Sequence, residues 1–278
     1  MKYILLFLCI LCLSCKYNVA NPVGTLKDYT AGSGKTYYVS SSSSVAEIEE
    51  ALRKNKHSLG KYKLVVTNSG NSDNILSNIT FTLTNNLSFS NVEVDITKLT
   101  NLFEITNGAF SNAKNLSSIS LSDEVTNIGT NAFSGCFSLT NIRFSGGLTD
   151  ILDGAFSNCS ALTLVMLSSD KLTNISNNAF YNNSSLKNLV LPANISNVCN
   201  TAFSGCGQLK NIEYLGTNTN VNGSPFASSN LKGNNSNPTD LYLPSATNTT
   251  ISSYFSGKSF LGKTWNSSNI HTKQHIPN

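Results

Sequence analysis

Charge is scarce in this chain. Only 12% of its 278 residues are Asp, Glu, Lys or Arg, and the formal net charge of +4 comes from scattered basic residues. That excludes the concentrated positive patch on which nucleic-acid binding depends. Histidine is scarcer still, at three residues: His57, His271 and His275. With so few, and none between residues 99 and 244, a Ser–His–Asp or Cys–His hydrolase has little to build on. His271 and His275 are four apart, as on a metal-binding helical face, but they lie in a polar terminal stretch without a partner Glu and are expected in solvent. A long hydrophobic run is also missing. The apolar stretch from Tyr3 to Leu13 falls short of the ~20 residues that span a bilayer. Asn, Ser and Thr supply the polarity beside 40% hydrophobic residues, a mix that fits a β-rich exported protein better than a cytosolic helical enzyme.

The N-terminus reads MKYILLFLCILCLSCKYNVA, with Lys2 before the apolar run and Ser14 directly before Cys15. This has the length and flanks of a secretory signal peptide. Ser14-Cys15 resembles a bacterial lipobox, although Cys12 holds the position usually filled by Leu. The resemblance implies cleavage before Cys15 and a diacylglycerol thioether on it, whose two or three acyl chains would anchor the protein stably. The alternative is an ordinary signal peptide cleaved near Ala20. Cys9, Cys12 and Cys15 have superficially metal-like spacing but lie in or beside the leader. Ala31-Gly32-Ser33-Gly34-Lys35-Thr36 looks like a phosphate-binding loop, yet the first glycine the motif needs is Tyr29.

An internal period decides the fold. Ala-Phe recurs at 109–110, 132–133, 155–156, 179–180 and 202–203, at intervals of 23, 23, 24 and 23, and one more step reaches Phe226 behind Pro225. Leu116, Leu139, Leu162, Leu186 and Leu209 keep step, as do Ile119, Ile142, Val165, Leu189 and Ile212. A further column runs Ile105, Ile128, Ile151, Ile175, Val198 and Val221. The segment L-x-x-I-x-L has the alternation of a half-buried strand. Each coil is therefore expected to give one short parallel strand, and the Ala-Phe stretch a helical turn opposite it. One coil buries too little to fold alone, so stacking must supply most of the stability. Cys136, Cys159 and Cys206 share a column with Ala113 and Asn183. Side chains stacked in one direction give poor disulfide geometry, so buried free thiols are expected there.

Phrases such as IGTNAFSGCFSLTNIRF and ISNNAFYNNSSLKNLVLP resemble the BspA-like leucine-rich-repeat surface proteins of the treponeme type, over about residues 99–244. The resemblance implies an α/β-type repeat solenoid, a right-handed leucine-rich-repeat stack of short parallel strands with an N-terminal helix/strand cap and a C-terminal cap. It also implies adhesion or host-protein binding at the cell envelope, an inference by analogy.

The chain then divides into a lipoprotein signal peptide (1–14), a flexible polar tether (15–44), a cap with imperfect repeats (45–98), the repeats (99–244) and a C-terminal cap and tail (245–278). In the cap, 45–56 reads as an amphipathic helix, 62–67 as a strand, and 79–83, 87–89 and 92–96 as further alternating segments. Residues 241–244 read as the last strand. The outward column of the repeat strands nominates Arg143, Leu164, Met166, Val190, Glu213 and Tyr242 as candidate ligand contacts, an apolar centre flanked by charge. The partner expected is a protein or extracellular-matrix macromolecule, with the membrane reached through the lipid anchor at Cys15 and the outer membrane as its location. No enzyme activity, cofactor, small-molecule substrate or nucleic acid is expected. The alternative is a structural or assembly role in the envelope. Metabolic labelling with a palmitate analogue is expected to mark the wild-type protein and to be lost in Cys15→Ala; equal labelling of both would remove the anchor.

Overall fold

The structure, a computed structural model, describes residues 28–30, 35–56, 60–67, 75–86, 88–218, 220–226, 240–244, 259–265 and 267–272. Cys15 and the leader, most of the phosphate-loop-like stretch, His57 and His275 lie outside the described residues. The N-terminal part runs β1 (Asp28–Thr30), β2 (Lys35–Ser40), α1 (Val45–Lys54), β3 (Tyr62–Thr67), α2 (Ile75–Asn85) and β4 (Val92–Lys98). Each following coil then contributes two strands. The first-sheet strands are β6 (Leu116–Ser120), β8 (Asn141–Arg143), β10 (Leu164–Met166), β12 (Asn188–Leu191) and β14 (Asn211–Tyr214). The second-sheet strands are β5 (Glu104–Ile105), β7 (Asn127–Ile128), β9 (Asp150–Ile151), β11 (Asn174–Ile175) and β13 (Asn197–Val198). The C-terminal part adds β15 (Asp240–Tyr242), an antiparallel pair of β16 (Ser259–Phe260) and β17 (Lys263–Thr264), and β18 (Ile270–His271).

The first-sheet strands are parallel and form two groups, β2-β3-β4-β6-β8 and β10-β12-β14-β15-β18, with β1 antiparallel on the edge. The second sheet, β5-β7-β9-β11-β13, is parallel throughout. This is an α/β leucine-rich-repeat solenoid. Its core lies between the two sheets and continues into the cap without a break, from Val39 through Ile48 and Leu64 to Trp265.

Four expectations are corrected. The stretch read as tether forms β1 and β2 at 28–30 and 35–40, because Val39 is buried and β2 docks parallel on β3 with Tyr38 opposite Val65. Polar composition does not forbid a strand that has an edge to pair with. Residues 79–83 are not a strand but part of α2. Ile79, Phe81 and Leu83 alternate, yet Ile75, Leu76, Ile79, Thr82 and Leu83 also fit a helical stripe and are the buried set, leaving Phe81 57% exposed. Each coil carries a second strand at the Ile105 column, beside the expected turn at Ala-Phe, which closes through bonds such as Cys136 N to Phe133 O. Residues 241–244 do not end the sheet, since β18 pairs with β15 (Leu241 opposite Ile270). Helix α1 follows the sequence closely: Ser44 and Glu47 form a capping box, and Ile48, Ala51 and Leu52 are buried.

The Ala-Phe columns set the spacing of the stack. Phe110, Phe133, Phe156, Phe180, Phe203 and Phe226 are all buried, with successive ring centroids 4.9–5.6 Å apart. Amides of Phe110, Phe133, Phe156 and Phe180 donate to the next coil's alanine carbonyl at 2.7–2.8 Å. One corner of every coil has a left-handed backbone, supplied by the column Asn112, Gly135, Asn158, Asn182 and Gly205, with φ between 57° and 83°. Asn and Gly are the residues that adopt this conformation at least cost.

The cysteine column is a ladder of donors. Cys136, Cys159 and Cys206 are buried free thiols that reach the carbonyls of Phe110, Phe133 and Phe180, each at 3.1 Å. Asn183 makes the same bond, Nδ2 to Phe156 O at 3.0 Å, but its fully buried Oδ1 has no hydrogen-bond partner. A buried acceptor left in that state costs about 1–3 kcal/mol. Burial pushes the Cys206 thiol up to about 12, the Asn183 backbone amide partly opposing it, and raises Cys159 well above the usual range, helped by the neighbouring Cys136.

Two predictions follow from the ladder. Asn183→Cys is expected to raise the free energy of unfolding by about 1 kcal/mol under reducing conditions, measured by urea denaturation. The thiols' raised folded pKa means that the native state holds protons the unfolded chain releases above pH 9.0. Stability is therefore complete below that pH and falls as pH rises toward 12, by up to about 1.4 kcal/mol per pH unit for a thiol. Cys206→Ala is expected to flatten the alkaline decline in urea midpoint relative to wild type.

Candidate functional site

Strand pleating sends the central apolar residue of each first-sheet strand inward and its neighbours outward. Pairing places Ser120 opposite Arg143, Met166 opposite Val190, Val190 opposite Glu213, and Glu213 opposite Tyr242. Ser118 and Asn141 form the adjacent row, continued by Leu164, Asn188 and Asn211. The candidate contacts thus occupy two neighbouring rows across the sheet.

Their accessibility differs along the stack. Arg143 is exposed, and Leu164, Met166 and Tyr242 are half-buried. Val190 and Glu213 are only 3% and 1% exposed, so neither can be a contact for an external ligand. Strand β14 is buried at all four positions. Alternation fixes which face a side chain takes; it says nothing of whether another part of the chain covers that face. The accessible surface therefore lies toward the N-terminal coils, over β6, β8 and β10.

Arg143 is already engaged there. Its Nη1 donates to Leu121 O at 3.0 Å, and Nη2 to both carboxylate oxygens of Asp123 at 3.2 and 3.4 Å. Both side chains of this pair are more than half exposed, so it holds the guanidinium flat against the preceding coil while adding little stability. Asp123 is a positional residue the sequence reading missed, since it lies in the turn after β6 rather than in a strand.

At the other end, the Tyr242 ring stacks on His271 with centroids 4.7 Å apart. His271 Nε2 lies 3.4 Å from Asp240 Oδ1, which also accepts from Asn269 Nδ2 at 3.2 Å. Burial raises the Tyr242 phenol, with the Asp240 charge adding to it, and burial lowers the Lys263 ammonium against the pull of Asp240. His271 was expected in a loose tail and instead closes the sheet. The signal was present: Asn269-Ile270-His271 repeats the strand pattern of Asn141-Ile142-Arg143 and Asn211-Ile212-Glu213. Among the described residues no group of three or more His, Cys, Asp or Glu could hold a metal ion.

The repeat columns match a sequence model described as the BspA type leucine rich repeat region, in six copies over residues 103–232. The chain thus carries a BspA-type leucine-rich-repeat region over just under half of its length. Among solved structures, the chain is 30% identical to a leucine-rich cell surface protein from Faecalibacterium prausnitzii, with a TM-score of 0.42 over 45% of this chain and 32% of that one. It is 26% identical to a leucine-rich repeat protein of T. pallidum, with a TM-score of 0.36 over 43% and 68% of the two chains. For the pneumococcal vaccine antigen PcpA the identity is 19% and the TM-score 0.48, over 65% and 42%. The chain thus spans about a third of the length of the first of these. No curated protein matches it.

Proposed function

We propose that this BspA-type protein is a non-enzymatic, lipid-anchored component of the cell envelope that binds a protein or matrix macromolecule through the outer face of β6, β8 and β10. One observation carries the reading. Leu164 and Met166 stand half-buried on that face, with Asn141 and Arg143 exposed at the equivalent positions one repeat earlier. Apolar side chains beside a pre-positioned guanidinium are the composition found at interface centres. Ser118 and Ser120 extend the face with small hydroxyls that leave room for a partner's backbone. Val190 and Glu213 take no part, and Tyr242 is tied to the end of the stack by His271. The anchor at Cys15 supplies the location, placing the face outside the cell if the protein sits in the outer leaflet of the outer membrane. The leucine-rich cell surface protein similar to this chain supports a surface setting. Among the described residues no helix is long and apolar enough to cross a membrane.

Binding of the full-length chain to immobilised fibronectin, laminin and collagen measures the reading. Arg143→Glu and Met166→Asp are each expected to lower capture at least tenfold while leaving the melting temperature unchanged. Capture that persists undiminished in both folded variants sinks the face as the contact surface.

A further inference from the structure

The second sheet ends differently at its two edges. Past β13 the stack continues through a parallel bridge between Asn197 and Asn222, with Val198 N donating to Asn222 O and Asn222 N to Ser196 O, both at 2.9 Å. Past β5 no strand follows among the described residues. In the next coil the amides of Thr126 and Asn127 donate to Phe103 O, and that of Gly129 to Ile105 O. Their counterparts one coil earlier are the amides of Phe103, Glu104 and Thr106. These face away from the stack and donate to no described residue.

Natural sheets blunt such an edge with charge, proline or a covering segment. This edge carries a charge at Glu104, but at the column before it the repeat is broken in the opposite direction. Thr126, Thr149 and Ser196 each give their hydroxyl to the carbonyl of the same column in the preceding coil, at 3.0, 3.0 and 3.1 Å. The first coil carries Phe103 in that column, 57% exposed. Beside it lies a cavity of about 420 Å³, whose walls include Leu76 and Ser77 of α2 and Leu102, Phe103, Glu104 and Thr106 of the coil. A hydrogen bond from Thr80 Oγ1 to Ala109 O holds α2 against the same coil. Glu104 is exposed and forms no ion pair among the described residues, and Glu124, exposed on the next coil, adds a second negative charge.

We infer that the open edge of β5 accepts an extended segment of a partner protein, which adds a strand through the free amides of Phe103, Glu104 and Thr106, seats an apolar side chain in the cavity beside Leu76 and Leu102, and sets a lysine or arginine against Glu104. Backbone pairing supplies affinity in this mode, and the pocket with its carboxylate supplies selectivity. The site is separate from the outer face of the first sheet, so the failure of either leaves the other standing.

The test titrates the isotopically labelled full-length chain with the acetylated, amidated hexapeptide Lys-Val-Lys-Val-Lys-Val, followed by amide chemical shifts. Two N-methylated versions are compared with it, one methylated at the valines and one at the lysines. The expected result is saturable binding with shifts centred on Phe103, Glu104 and Thr106, and a loss of at least tenfold for one methylation pattern but not the other, because a strand pairs through alternate residues. Thr106→Pro, which removes an amide that donates to nothing in the fold, is expected to lower affinity at least tenfold. Glu104→Lys, a surface change, is expected to lower it at least threefold and to decide the matter if the proline variant does not fold. Absence of saturable binding, equal tolerance of both methylation patterns, or shifts centred on Met166 would overturn the assignment. So would sedimentation showing that the edge is already occupied by a second copy of the chain.

Discussion

A coil of this solenoid cannot satisfy its own backbone. Its strands are two to five residues long, and their amides and carbonyls point along the stack, toward the coils before and after. Each coil must therefore hand hydrogen bonds forward and receive them from behind at the same heights, which forces equivalent residues into columns. The phenylalanine rings stack because their backbones are locked at that spacing by the bonds to alanine carbonyls, and ring attraction adds to a separation already set. Side chains obey the same constraint. Thiols, hydroxyls and carboxamides inside the coils act mainly as extra donors to the preceding coil, as in Cys159 to Phe133 and Asn197 to Asn174. That is why polarity here is carried by Asn, Ser and Thr rather than by charge. A neutral donor can be buried with one partner, whereas a charge needs much more to offset its desolvation.

What the sequence disclosed follows from this logic. Columns repeat many times, so the core residues, the Phe ladder and the buried thiols were all legible from periodicity. Features occurring once, or too short to alternate, were not. A two-residue strand such as Asp150–Ile151 has no alternation to detect, and its column looked like a plain core position. Helix α2 was misread because Ile79, Phe81 and Leu83 satisfy period two while the buried set satisfies the helical period, and only tertiary packing chose between them. The burial of Val190 and Glu213 was invisible for another reason: covering a sheet face is a long-range event, and local spacing carries no trace of it. Of the six nominated contacts, the pattern placed the rows correctly and exposure then removed two.

Ends matter more in a linear stack than in a globule, because only there does the handing-on of hydrogen bonds stop. The N-terminal cap solves this for the first sheet, where β4 pairs with β6 and β3 with β4, so the cap strands receive what the first coil offers. It does not do so for the second sheet: among the described residues no strand pairs with the outer edge of β5, and helix α2 only borders the cavity there. A βαβ-like cap can extend one sheet with its strands while its helices cover the opposite side; it cannot extend both. The open edge is thus a geometric consequence of joining a two-sheeted coil to a one-sheeted cap.

Function in such a protein is read best from departures from the columns rather than from the columns themselves. A residue that conforms is accounted for by stacking, since its donor, its volume or its backbone angle is needed by the next coil. Asn183 departs from the cysteine column yet keeps the donor, leaving an acceptor buried with nothing to accept from, and it is a structural compromise. Phe103 departs from a hydroxyl column and keeps nothing the stack can use, because the hydroxyl would have had no coil behind it and the ring remains in water. Arg143 differs, since Ser120 opposite it shows that the position tolerates a residue with no reach, yet its guanidinium bonds the preceding coil at Leu121 O and Asp123. Stacking does not ask for the Phe103 ring, and its exposure costs solubility without adding to the core. The proposed contact face and the proposed edge site both rest on such departures, at Met166 and at Phe103.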